Sequence, residues 1–287
     1  MTPRDTLLLI GLAAIWGASF IFMRLAAPSF GALALAETRV LIAGFALLAY
    51  AVAVGRALPR LADWRTHLFI GAFNSGIPFA LFAFAALHIG VSYMAVLNAT
   101  SPLFGALFGV ALGRERLRVG KVIGILLGVA GVALLVGLGP IAVTAWTFAA
   151  ALASLVASAC YGFAGHYAKT LGGTMTPLTL ALGSQMGAAV VLAPATLFAL
   201  PTGVPPGRAV ASVAVLAIVC TAAAYLAYFR LIVRIGPVRA LTVTFLIPVF
   251  GLLWGAVFFG EPITFGMIAG CATVLLATGL VLRAERD

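Results

Sequence analysis

The sequence predicts an all-α integral membrane protein: ten transmembrane helices, two inverted five-helix repeats, and both termini on the cytoplasmic side. Three observations carry this expectation: an extreme apolar composition, ten long apolar runs, and a likeness between the two halves. Of 287 residues, 64% are hydrophobic and 8% are charged, against roughly 25% charged in a soluble domain. A chain this apolar cannot cover itself with polar groups in water, and lipid removes the need.

The apolar runs fall at residues 6–27, 31–54, 66–89, 91–112, 118–138, 145–169, 176–199, 208–234, 237–259 and 262–283. Each is close to the about 20 residues that a crossing helix needs. Turn signals such as Pro28-Ser29, Gly172-Gly173, Gly236-Pro237 and Glu261-Pro262 separate them. Barrel strands would alternate over shorter segments. The first run reads as a retained helix, because Met1 to Asp5 is too short to flank a cleaved signal. With the N-terminus inside, fourteen of the Lys and Arg residues lie at inner ends: Arg4; Arg56, Arg60, Arg65; Arg114, Arg116, Arg118, Lys121; Lys169; Arg230, Arg234, Arg239; Arg283, Arg286. Arg24 and Arg208 lie at outer ends, and Arg39 lies within a helix. This bias follows the positive-inside rule. It also explains the net charge of +10 without a nucleic-acid partner. Cys160, Cys220 and Cys271 all sit inside apolar runs with no CxxC spacing. They imply neither a disulfide framework nor a metal site, and no cofactor is expected.

A shift of 146 residues lays 90–124 on 236–270 with nine identities in 35 positions. Gly90 meets Gly236, Pro102 meets Pro248, Phe104-Gly105 meets Phe250-Gly251, Gly109 meets Gly255 and Glu115 meets Glu261. At the same shift Arg39 meets Gln185 and Phe79 meets Tyr225. With a one-residue slip, Trp16-Gly17 meets Tyr161-Gly162 and Arg24 meets Lys169. The expected domains are therefore residues 1–140 and 141–287. Five helices is an odd number, so the second repeat enters the membrane inverted. That architecture places a substrate near the midplane, where the halves meet.

Polar and aromatic groups at mid-depth are the cavity candidates: Trp16, Ser19, Asn74, Ser75, Phe79, Tyr93, Asn98, Tyr161, Thr221, Tyr225 and Tyr228. Binding cavities are mostly apolar with a few placed polar groups, and this set has that character. The pairs Gly105/Gly109 and Gly251/Gly255 read as close-packing helix contacts. Pro78, Pro102 and Pro248 read as bends or hinges, the last two at matching positions. Asn98, four residues before Pro102, could satisfy the carbonyl that the proline frees or could face substrate. Arg39 is either a ligand for a substrate carboxylate or a structural group, with the structural role favoured because the second helix of a half need not line the cavity. Glu115 and Glu261 are read as helix-end groups that bond loop backbone or nearby arginines. His88 and His166 are read as packing residues. No acidic residue joins the cavity set, which favours a neutral or zwitterionic substrate over a purely cationic drug.

Enzyme chemistry finds no footing. Three scattered histidines cannot form HExxH, no nucleophile has a base near it in sequence, and no aspartate lies in any of the ten runs, which removes an aspartyl dyad. The early Trp16-Gly17-Ala18-Ser19-Phe20, the doubled P-x-F-G-x-x-x-G-x-x-x-x-x-E pattern and the 5+5 repeat resemble the EamA-type branch of the drug/metabolite transporter superfamily, over essentially the whole chain. Within it the sequence is most similar to the YddG-type exporters of aromatic and other neutral amino acids. The resemblance implies export from the bacterial cytoplasm across the inner membrane by alternating access, with amino acids as substrate. A monomer is the expected working unit. It implies a cavity lined by the first, third, fourth, sixth, eighth and ninth helices, with Arg39 and Gln185 off its main wall. Small four-helix members of the superfamily carry an essential glutamate in the first helix. Residues 6–27 have none, so their proton-antiport mechanism is not expected.

Overall fold

A computed structural model describes residues 2–114, 116, 118–140, 142–171, 175–240 and 242–284, save the side chains at 169, 170, 237, 238 and 284. Glu115, Gly172, Gly173 and Arg286 lie outside the described residues, as do the side chains of Lys169 and Pro237. The described secondary structure is helical throughout. The first repeat comprises α1 (Pro3–Phe30), α2 (Ala32–Ala53), α3 (Leu61–Ala85), α4 (Val91–Ala111) and α5 (Val119–Leu138). The second comprises α6 (Ala145–Thr170), α7 (Pro177–Thr196), α8 (Gly207–Ile235), α9 (Val243–Phe259, preceded by the single turn Pro237–Ala240) and α10 (Phe265–Ala284). Nine of these are long and apolar enough to cross a membrane, and α9, at 17 residues, is a shorter apolar helix.

Local chemistry sets the helix ends. Thr2 opens α1 with a capping box: its hydroxyl accepts the Asp5 N–H at 3.2 Å, and the Asp5 carboxylate accepts from Thr2. The turn between α1 and α2 is made by Gly31, whose φ of +73° suits a residue without Cβ. Pro28, expected to separate the first two runs, instead sits inside α1, and Gly31 makes the reversal. Helix α3 starts and ends earlier than its apolar run of 66–89: it opens with the turn Leu61–Asp63 and Trp64, and it ends at Ala85.

Two helices change pitch in the middle. In α3, Ala72–Gly76 winds as a π-helix, and in α8, Ile218–Ala223 does the same. The two π-segments begin 146 residues apart, the shift that relates the halves. Such segments leave the regular hydrogen-bond ladder and often mark functional positions. The prolines do not behave as a matched pair. Helix α4 is interrupted between Asn98 and Ser101, with Pro102 in the first turn of its second part. Pro248 lies inside α9, which runs unbroken from Val243 to Phe259. The carbonyl of Asn98 that Pro102 cannot bond accepts the Ser101 hydroxyl at 2.7 Å, so the Asn98 side chain is not needed there.

Glycines set how the repeats meet. Gly17 of α1 lies on α9, where an added Cβ would come within 2.9 Å of the Phe250 Cβ and 3.2 Å of the Ile247 carbonyl. Gly162 of α6 lies on α4, where an added Cβ would come within 2.5 Å of the Gly105 N and 2.9 Å of the Ser101 carbonyl. Ile247, Phe250 and Gly251 are the repeat partners of Ser101, Phe104 and Gly105, so one crossing is the counterpart of the other. Gly251 also packs on Ala95, Gly255 packs on Ser92 and Glu261, and Gly109 is buried. Helices α5 and α10 form a further pair through Gly131 and Gly270. These contacts act as small residues do in lipid, letting backbones approach. Gly162→Ala is expected to lower stability by about 1–3 kcal/mol through overpacking. Gly165→Ala, with open space at its Cβ, is expected to leave stability unchanged or raise it by up to about 1 kcal/mol through helix propensity. Thermal melting of both variants in detergent checks the contrast.

Candidate functional site

Between the repeats lies a cavity of about 460 Å³. Its wall includes Trp16, Ser19, Asn74, Phe79, Asn98, Tyr161, Tyr225 and Tyr228 from the sequence candidates, with Thr221 and Pro102. Helices α1, α3, α4, α6, α8 and α9 supply most of the wall, while α2 and α10 add Arg39 and Leu282.

Arg39 stands on the cavity wall rather than off it. It lines the cavity and is 5% exposed. It lies about 10 Å along α2 from Ala32, at 1.5 Å per residue. Its guanidinium carbon sits 3.5 Å from the centroid of the Phe79 ring, and its Nε donates to the Thr221 hydroxyl at 3.0 Å. Cation–π attraction is strongest where water is excluded. No described carboxylate forms an ion pair with it. The sequence left its direction open because the answer depends on which face of α2 meets α8.

The repeat symmetry extends to hydrogen bonds. Gln185, the partner of Arg39, donates to Ser75 at 2.9 Å, and Ser75 is the partner of Thr221. Each second helix of a repeat thus reaches across to the π-segment of the other repeat. Ser75 also bonds Ser184 at 2.9 Å and is fully buried, so it supports the wall from behind. Asn74 reaches the Tyr225 hydroxyl at 3.3 Å and the Ser184 hydroxyl at 3.4 Å. Gln185 stays off the cavity wall, as the resemblance implied, and Arg39 does not.

Tyr93 is a correction. It is buried in the core with its hydroxyl close to Gly139 and forms no part of the cavity wall. Asn98, Ser101, Pro102 and Gly105 share the inner face of α4, and a residue five positions before Asn98 points well away from it at 100° per residue. Aromatic contacts shape the rest: Trp16 on Tyr228 at 5.2 Å, Phe20 on Phe82 at 5.4 Å, and Phe82 stacked on Tyr161 at 6.2 Å. Sequence reading missed Phe20, Met23, Phe82, Thr244 and Ile247, whose apolar or lone polar character gives no signal in an apolar run. His166 also lines the cavity, whereas His88 stacks on Trp146 at 5.1 Å.

The cavity has two unlike ends. Towards the basic ends of the helices it reaches Gly105, His166, Tyr228, Thr244 and Leu282. The opposite end is closed. There Arg24 donates to the Ile89 carbonyl at 2.6 Å and lies over the Phe259 ring, while Glu261 accepts the Val91 and Ser92 N–H groups at 2.8 and 3.0 Å. Glu261 thereby caps the start of α4, the helix-end role read from sequence. Ala26, Ala27, Ala85, Ala86 and Ile89 pack beneath it. At the basic end, Asp5 of α1 pairs with Arg234 of α8 at 2.7 Å.

Comparison with known proteins agrees with this architecture. A solved crystal structure superposes over 100% of both chains with a TM-score of 0.67 at 19% identity, a likeness of fold alone. An uncharacterized transporter of Archaeoglobus fulgidus is 24% identical over 93% of this chain and 95% of its own. The uncharacterized inner membrane transporter YedA of Escherichia coli K12 is 26% identical over 89% of this chain and 83% of its own. The EamA-like transporter family matches twice, at residues 5–137 and 138–283. With both repeats matched, the chain belongs to the EamA-like transporter family.

Proposed function

We propose that this transporter exports amino acids, aromatic and other neutral ones above all, from the cytoplasm across the bacterial inner membrane by alternating access, as a monomer with one repeat on each side of the cavity. The observation that carries the reading is Arg39. A guanidinium faces a buried cavity in which no described wall residue is acidic. A substrate carboxylate supplies the missing counter-charge, and a bidentate pair is the strongest contact a guanidinium makes. The amino group of a zwitterion then meets the faces of Trp16 and Tyr228 and the amide and hydroxyl groups of Asn98 and Ser101. A purely cationic solute is repelled by Arg39.

The cavity volume is that of a small-molecule site, and its aromatic wall favours an aromatic or apolar side chain. The excess of Lys and Arg at the end that the cavity reaches supports a cytoplasmic side for that end, and on this reading the conformation is inward-open. Closure by Arg24 and Glu261 at the far end disfavours a passive channel. Inverted repeats support the opposite state: if each half adopts the other's arrangement, the cavity opens outward.

In proteoliposomes loaded with radiolabelled amino acids, Arg39→Gln is expected to raise KM roughly 10–100-fold, the loss of a charge-assisted hydrogen bond worth about 1.5–3 kcal/mol. Unchanged KM with normal folding contradicts the carboxylate site. Movement of other solutes but no amino acid contradicts the substrate class. Flux is expected to fall in Trp16→Ala, Tyr161→Ala and Tyr225→Ala and to be unchanged in Tyr93→Phe, whose hydroxyl lies off the cavity. Equal loss in all four variants would mean that the cavity is misplaced.

A further inference from the structure

A second hollow, of about 430 Å³, lies between α2, α3 and α7 and shares no wall residue with the central cavity. Its upper wall is hydrocarbon: Leu48, Leu68, Leu182, Met186 and Val190. Val190 is 62% exposed on the lipid-facing surface. Its mouth lies at the basic end of the bundle, where Arg60 and Trp64 line it, both exposed. Arg56 and Arg65 flank the same segment, and Asp63 is the one carboxylate within it.

His67 lies between the mouth and the hydrocarbon wall. It is 7% exposed, and neither ring nitrogen has a hydrogen-bond partner. Its ring lies against Gly183, and its carbonyl group lies against Gly187; a Cβ at either glycine would collide with it. The two glycines therefore cut the slot that admits His67 to this depth. A buried imidazole without a partner is unfavourable, and more so in lipid, where no bulk water reaches it. A group that fills the hollow and accepts a hydrogen bond removes that deficit.

We infer that this groove binds an anionic glycerophospholipid of the leaflet at the basic end, with an acyl chain between α2 and α7, glycerol ester or phosphate oxygens on His67, and the headgroup beside Arg60. Basic pockets between transmembrane helices recognise acidic headgroups in this way. A free phosphate fits only the mouth, because the wall above His67 is hydrocarbon. The exposed Trp64 is suited to the same interface. This site does not depend on the transport reading.

Native mass spectrometry of the full chain, purified in mild detergent and offered phosphatidylglycerol and phosphatidylcholine with matched chains, tests it. Phosphatidylglycerol adducts are expected to dominate and to raise the melting temperature. Arg60→Gln is expected to weaken their retention about fivefold, and His67→Phe, which fills the slot without nitrogens, to weaken it as well. Millimolar inorganic phosphate is expected to do neither. Equal retention of both lipids, retention unaffected by Arg60→Gln, or a melting shift reproduced by inorganic phosphate alone overturns the proposal. If His67→Phe does not fold, the exposed Arg60 decides.

Discussion

A guanidinium buried inside a lipid-spanning bundle, with no described carboxylate to neutralise it, is the constraint around which this structure is arranged. A charge at the centre of a transmembrane helix costs about 2.5–3.5 kcal/mol on insertion scales, so Arg39 must be compensated locally. The ring of Phe79 and the hydroxyl of Thr221 do part of this. Phe79 belongs to the same repeat as Arg39, whereas Thr221 comes from the opposite one, so the hydrogen-bonded part of the compensation exists only when the two halves are together.

The same exchange explains the paired π-segments. Thr221 and Ser75 both lie in stretches where the helical pitch loosens, and each receives the side chain reaching across from the other repeat. One reaching group is an arginine on the cavity wall, and its counterpart is a glutamine behind it. The duplicated scaffold has therefore diverged at one position into an arginine that reaches the cavity and a glutamine that stays behind its wall. The glycine crossings of α1 with α9 and of α4 with α6 have kept their likeness, as contacts that join the repeats must if both can move in the same way.

Much of this was legible in the sequence, and the unreadable part has a physical pattern. Long apolar runs and the placement of arginines gave the helix number because lipid thickness and the positive-inside rule act on composition alone. The aromatic wall was legible because Trp16, Tyr161 and Tyr225 are conspicuous among Ala, Leu and Val. Direction was harder to read. Tyr93 and Asn98 share one helix, and only packing tells which of them faces inward. Arg39 posed the same question on α2. Matched prolines suggested matched kinks, but α4 is interrupted beside Pro102 while α9 stays continuous through Pro248. The π-segments carry no residue signature of their own and became visible only in the backbone.

Accessibility of the cavity from each face tests the account most directly. In a chain with Cys160, Cys220 and Cys271 replaced, single cysteines at Thr244, beside the open end, and Ala86, 3% exposed beneath the closed end, can be labelled with an impermeant maleimide in oriented vesicles. The account predicts that Thr244→Cys reacts from the face bearing the arginines while Ala86→Cys is protected from the other, and that a transported amino acid shifts reactivity from the first to the second. Labelling of Thr244→Cys from the opposite face, or of both positions together at rest, would contradict it.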